Sequence, residues 1–217
     1  MEGLVDLRSH WDEIYRTKNP SQLSWFQSDA KLSLELIARV SPDRESVIVD
    51  VGAGASTLVD GLLASGYSDI TLLDLSADAL AHSRQRIASV PTSVVWWSGD
   101  VLTADLPSAS VDVWHDRAVF HFLIAAADRG RYVERVKRAV RPGGYVVVAT
   151  FAEDGPIRCS GLPAARYSTR ALHGEFGADF RLIDSCREEH VTPSGAAQAF
   201  TYCVLRYEPR DPDHSSE

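Results

Sequence analysis

Residues 114–122, Trp-His-Asp-Arg-Ala-Val-Phe-His-Phe, set His115, Asp116 and Arg117 directly after an apolar run and place a second imidazole, His121, between two phenylalanines. An imidazole beside a carboxylate can move a proton at neutral pH, and a guanidinium can hold a planar anion through two parallel hydrogen bonds. His115 and Asp116 are therefore candidates to orient or deprotonate an incoming nucleophile, with Arg117 available to hold a carboxylate on it. His121 reads instead as a buried, hydrogen-bonded core residue. No metal centre is indicated: Cys159 with His115, His121, His173 or His190 matches no recognised ligand spacing, and the three cysteines contain no CxxC pair.

A second constellation lies upstream. In Val47–Ser56 an apolar run ends in Asp50 and passes through Gly52, Ala53 and Gly54, a loop whose bare backbone lets a ligand approach a helix N-terminus. Asp74 stands twenty residues after Gly54, where an acid can accept from ribose hydroxyls. Asp50, Asp74, Asp100 and Asp116 each fall at or just beyond the end of a strand-like run, the edge at which open α/β sheets bind ligands. Such a set would repel a pyrophosphate and suit a ligand with positive charge and ribose hydroxyls. Each acid alone would serve equally as a helix cap or turn residue.

The elements that must hold these groups follow from periodicity. Apolar runs at 46–51, 70–75, 93–98, 111–115 and 145–151 alternate with amphipathic stretches at 56–66, 77–90 and 127–140, the last expected to stop at Arg-Pro-Gly-Gly. This predicts an α/β fold of the Rossmann-like three-layer type, its sheet mostly parallel. A helix near 168–176 and two strands, 180–189 and 198–208, follow with no helix between the strands, which predicts an antiparallel pair. Residues 1–45 read as an N-terminal helical cap, 46–207 as the core domain and 208–217 as a disordered tail. The loop at 152–168, rich in Gly and Pro, leaves the same sheet edge and carries Cys159, Arg166 and Tyr167 as further candidate contacts or mere packing.

Taken in order, Asp-Val-Gly-Ala-Gly-Ala-Ser, Leu-Leu-Asp-Leu-Ser, Ser-Gly-Asp-Val-Leu, the strand at 111–115 and Arg-Pro-Gly-Gly-Tyr-Val-Val-Val resemble the motifs of class I S-adenosylmethionine-dependent methyltransferases. The resemblance implies a seven-stranded sheet with an antiparallel last strand and S-adenosylmethionine as cofactor. It implies Asp50, Gly52 and Gly54 around the methionine end, Asp74 on the ribose, Asp100 and the backbone of Val101 on the adenine, with Ser76 nearby or capping a helix. The segment His10–Phe26 is similar to that of small bacterial methyltransferases and eukaryotic methyltransferase-like lysine methyltransferases, which implies that Trp11, Tyr15, Trp25 and Phe26 line or roof the donor pocket. Those lysine enzymes carry Asp-Lys-Gly where Asp116-Arg117-Ala118 stands here, so lysine specificity is not inherited.

The chain has 217 residues, formal charge −8 and only three lysines. That balance argues against a surface gripping nucleic-acid phosphates, as does the lack of an Asn/Asp-Pro-Pro-aromatic sequence after the fourth strand. No apolar run approaches the roughly 20 residues of a membrane span, and no secretory leader is read at the N-terminus, so a cytoplasmic location is expected. The expected acceptor is a small molecule with a thiol, amine or hydroxyl. A protein lysine is the alternative within the class, and a nicotinamide-dependent oxidoreductase the alternative outside it. Against the latter, Thr57 replaces the third glycine of a dinucleotide loop, and Tyr132 and Lys137 are one residue too far apart for a YxxxK pair. Oligomeric state is not legible.

Overall fold

A computed structural model describes residues 6–90 and 93–210. Five parallel strands, β1 (Ile48–Val51), β2 (Ile70–Asp74), β3 (Val95–Ser98), β4 (Val111–Arg117) and β5 (Val140–Phe151), lie in the order β3-β2-β1-β4-β5. In the loop that follows, Arg158–Cys159 (β6) pairs with Leu162–Pro163 (β7). The sheet is then completed by β8 (Phe180–Val191) at the edge and β9 (Ala197–Tyr207), which inserts antiparallel between β5 and β8. Seven strands with one reversed is the predicted architecture.

Two helices, α1 (Leu7–Thr17) and α2 (Lys31–Val40), precede the first strand; parallel strands need crossovers, and α3 (Leu58–Ala64), α4 (Ala77–Arg86), α5 (Ala126–Ala139) and α6 (Thr169–Phe176) supply four of them. Because both faces of the central strands are covered, β1 and β2 are buried at every residue, which is why they read as continuous apolar runs. On one face Leu36 and Ile37 of α2, Leu58 and Leu62 of α3 and Leu80 of α4 pack against Ile48, Leu72 and Val113. On the other, Tyr132 and Val136 of α5 and Leu172 and Phe176 of α6 pack against Val49, Trp114 and Val148. The segment before residue 46 thus contributes α2 to the central core.

Two expectations change. Arg-Pro-Gly-Gly follows α5, yet lies inside β5: Val111 pairs with Val140 and Val113 with Tyr145, so the segment bulges out and the strand resumes with its register shifted. The helix expected over 77–90 stops at Arg86, where α4 gives way to turns. At the expected tail, the Glu208 amide donates to the Asp179 carbonyl (2.7 Å) and its carboxylate pairs with Arg181 (3.1 Å). The rest of that tail, 211–217, lies outside the described residues. Among the described residues no helix is long and apolar enough to cross a membrane.

Candidate active site

Side chains alternate along a strand, so the face of each residue follows from its parity. In the register of β1 and β4, Asp50 stands beside His115 and Val51 beside Asp116. Asp50, His115 and Arg117 turn to the α2 face and line a cleft at the carboxyl edge of the sheet. Asp116 turns to the α5 face and lines no part of it. There it is fully buried, accepting from the Tyr132 hydroxyl (2.6 Å) and from the amides of Val119 (2.9 Å) and Phe120 (3.0 Å). Burial pushes its carboxyl up to about 6, against the pull of these donors. The expected acceptor-edge acid is thus the fastening of the turn after β4, and Tyr132 carries the bond on to the Trp114 indole N–H (2.8 Å).

His115 is also committed. Its Nδ1 lies 2.7 Å from Asp50 Oδ1 and its Nε2 2.9 Å from Ser33 Oγ, all three residues being buried. His121 is in the core, as read from sequence: it is sealed in the Phe120–Phe122 turn, its ring against Phe122 and Phe151, and burial pushes its pKa down to about 3.

The cleft has two lobes that share Tyr15, Trp25, Val51, Gly52 and Arg117. The smaller, about 550 Å³, is bounded by Ser33, Asp50 and His115, by Gly52–Ala53, and by Phe26 and Gln27 of the N-terminal segment. The larger, about 890 Å³ and open to solvent, runs from Asp74, Asp100 and Val101 past Trp25 to Trp11, Phe122 and Cys159. Gly52 and Gly54 are required where they stand: both have positive φ, and a Cβ would fall 2.1 Å from Val119 Cγ2 at Gly52 and 2.7 Å from the Tyr15 hydroxyl at Gly54.

Asp74 ends β2 with its Oδ1 accepting from the Ser76 amide (2.8 Å). Burial raises its carboxyl to about 7, with Asp50 and Asp12 adding repulsion. Ser76 lines neither lobe; it caps α4 through the Ala79 amide (3.1 Å) and donates to Asp12 of α1 (2.5 Å). That bond, with His82 Nε2 at 3.1 Å from the Tyr15 carbonyl, lays α1 across the larger lobe, presenting Leu7, Trp11 and Tyr15 to it. Trp25 donates its indole N–H to the Tyr15 hydroxyl (3.2 Å), and Trp11 packs edgewise on Trp25 and Phe122.

Arg117 was expected to hold a substrate carboxylate, but its fork is largely engaged. It donates to the Tyr202 hydroxyl (2.9 Å), the Trp25 carbonyl (3.2 Å) and Glu188 (3.2 Å), and lies over the Phe200 ring. Glu188 accepts also from Tyr202 and from Gln27 (2.8 Å). Ser33, Gln27, Glu188 and Tyr202 escaped the sequence reading because they meet the site across long separations. For Ser33 there was a faint signal, a polar residue on the apolar side of α2. Cys159 lines the larger lobe buried, its thiol pushed up to about 12, so it is a neutral wall at physiological pH. Arg166 and Tyr167 line neither lobe, and Tyr167 packs in the α5-side core.

A sheet of this order with a glycine loop after β1 and an acid at the end of β2 defines the class I methyltransferase arrangement. A family profile described as a methyltransferase domain matches residues 49–148. The chain is 28% identical to EEF1A lysine methyltransferase 4 of Mus musculus over 80% of its own length and 71% of that protein. It is 31% identical to an uncharacterized methyltransferase of Mycobacterium bovis over 54% of its length, spanning 56% of that relative. In fold it is similar to the Burkholderia thailandensis 1,6-didemethyltoxoflavin-N1-methyltransferase solved with S-adenosylhomocysteine (TM-score 0.69, 21% identity, 94% and 88% of the two chains). Profile, relatives and fold together support a class I S-adenosylmethionine-dependent methyltransferase. Its cleft fits that cofactor: the bare glycine backbone and Asp50 border one lobe, and Asp74 and Asp100 border the other.

Proposed function

We propose that the protein transfers the methyl group of S-adenosylmethionine to a small-molecule nucleophile, a thiol, amine or hydroxyl. In this reading Asp74 accepts from the ribose hydroxyls, Asp100 and the Val101 backbone hold the adenine, and Asp50 with the Gly52–Gly54 loop holds the amino-acid end. The acceptor enters the larger lobe between Trp11, Phe122 and Cys159.

One observation carries the choice of acceptor. Around that end of the lobe the wall is apolar and aromatic, and its one charged residue among the described residues is Arg117, which is positive. A lysine ammonium would need a carboxylate there to receive its charge and proton, whereas Asp116 faces the opposite side of the sheet. The toxoflavin enzyme named above is described with a small bound substrate, which supports the reading. The lysine methyltransferase relative favours the alternative, though at 28% identity and without its Asp-Lys-Gly triplet in this chain. Catalysis then rests on holding the acceptor lone pair in line and on α1 excluding water, with an aromatic wall at Trp25 near the sulfonium adding on the order of 0.5 to 2 kcal/mol.

Labelled methyl groups from S-adenosylmethionine, offered with thiols, amines, phenols and a cell lysate, test this. Label in the small-molecule fraction is expected. Label confined to protein lysines would replace the small-molecule acceptor with a protein one.

A further inference from the structure

We infer that His115 and Ser33 are positioning residues for the amino-acid end of the methyl donor, acting through Asp50, and that they do not work on the acceptor. The inference rests on the donor reading of the cleft and goes beyond it by assigning two residues that the donor motifs do not include.

The three side chains form one buried chain of hydrogen bonds from α2 through β4 to β1: Ser33 Oγ to His115 Nε2 at 2.9 Å, and His115 Nδ1 to Asp50 Oδ1 at 2.7 Å. Their exposures are 1%, 3% and 3%, so no water shell orients them from outside. All three border the smaller lobe beside the Gly52–Ala53 backbone, whereas none borders the larger lobe that reaches Trp11 and Phe122. His115 therefore has no nitrogen left for an acceptor's proton, and it faces the wrong lobe to take one.

The distances fit an imidazole that donates from Nδ1 to the carboxylate and meets the Ser33 hydroxyl at Nε2, which satisfies both ring nitrogens. A carboxylate buried in this way needs a donor to stay ionised, and one held through Oδ1 has its second oxygen directed before the ligand arrives. The chemistry that such a fixed anion recognises beside a glycine loop is an α-ammonium. The parallel register that sets Asp50 against His115 builds the pair into the sheet, so its geometry does not depend on a flexible loop.

Two ligands separate this role from others. S-adenosylhomocysteine carries the amino-acid end, and 5′-deoxy-5′-methylthioadenosine keeps the adenosine and thioether but lacks it. In calorimetry His115→Leu should weaken S-adenosylhomocysteine by about tenfold or more, the scale on which outer-shell partners act, and leave methylthioadenosine unchanged. His115→Asn, whose amide can still donate to Asp50, should recover most of the loss. Ser33→Ala should shift the first ligand alone and by less. With labelled methyl donor, KM for the donor should rise while kcat at saturating donor holds. Equal weakening of both ligands would reduce the chain to a packing role and overturn the inference. A fall in kcat with S-adenosylhomocysteine affinity intact would return His115 to the acceptor and overturn it as well. Failure of the unaltered protein to bind either ligand would instead sink the donor reading itself.

Discussion

Two acids of the same sheet, Asp74 and Asp116, are both buried and both pushed upward in pKa, yet their surroundings assign them opposite tasks. Asp74 borders the cleft, and burial has raised its carboxyl from 3.8 to about 7. Its folded value lies above its unfolded one, so the ligand-free protein binds this proton more tightly than the unfolded chain and loses stability as pH rises from about 4 to about 7. In the proposed donor reading binding has the reverse demand, because the ribose hydroxyls would donate to the ionised acid. The affinity for S-adenosylhomocysteine should therefore tighten as pH rises, levelling off above about 7, and fall by up to about tenfold per unit below it. Calorimetry across pH 5.5 to 8.5 (about the range this side chain spans) checks this; an equal slope in Asp74→Asn would remove Asp74 from the effect. Asp116→Ala strands three buried donors, from Tyr132, Val119 and Phe120, and should cost on the order of 3 kcal/mol or more in urea unfolding. The folded fraction should bind S-adenosylhomocysteine normally, and a lost affinity with intact stability would put Asp116 back in the site. Asp116's face could have been read from sequence, since a strand that turns His115 one way must turn its neighbour the other. The adjacency of His115 and Asp116 that suggests an acid/base pair is what separates them.

At the scale of elements, α1 is the part of the molecule whose purpose periodicity does not reveal. Leu7, Trp11 and Tyr15 recur at helical spacing, a pattern equally suited to packing on a core or roofing a cavity. Asp6 caps its start by accepting from the amides of Arg8 (3.1 Å) and Ser9 (3.4 Å). Its placement depends on Asp12 with Ser76 and on Tyr15 with His82, pairs separated by 64 and 67 positions, beside exposed contacts of Arg16 with Asp78 (3.3 Å) and Arg8 with Ser98 (3.4 Å). Bonds this few beneath a helix make it the element most sensitive to the ligand. On adding S-adenosylhomocysteine, hydrogen exchange in α1 should slow while β9, paired on both sides, stays as it was. Unaltered exchange in α1 would show that it does not roof the donor. The central strands β1 and β2, by contrast, were legible to within two residues, because parallel strands covered on both faces have no periodicity but an unmistakable apolar run, whereas β5 starts five residues before its expected bound.

Across the whole molecule, Arg117 fastens the N-terminal segment to the last hairpin. It reaches the Trp25 carbonyl on one side and Glu188 and Tyr202 on the other, with Gln27 closing the circuit at 2.8 Å. None of this could be read in advance, since the partners are 71 to 161 positions apart and each is an ordinary polar residue in its own segment. The Arg117–Glu188 pair is largely buried, with side-chain exposures of 10% and 16%. Glu188→Ala should cost about 3 to 5 kcal/mol in denaturant by leaving a guanidinium uncompensated, and Arg117→Met with Glu188→Leu should recover much of it. Additive losses in that double variant would show that the two side chains act independently. The wall between the two lobes has a practical consequence too. Trp114 is sealed, at 0% exposure, while Trp11 and Trp25 border the donor cleft. Of the five tryptophans these two alone line the cleft, so occupancy should register as a saturable change in intrinsic emission: the protein is its own optical sensor, and Trp25→Phe should blunt the signal.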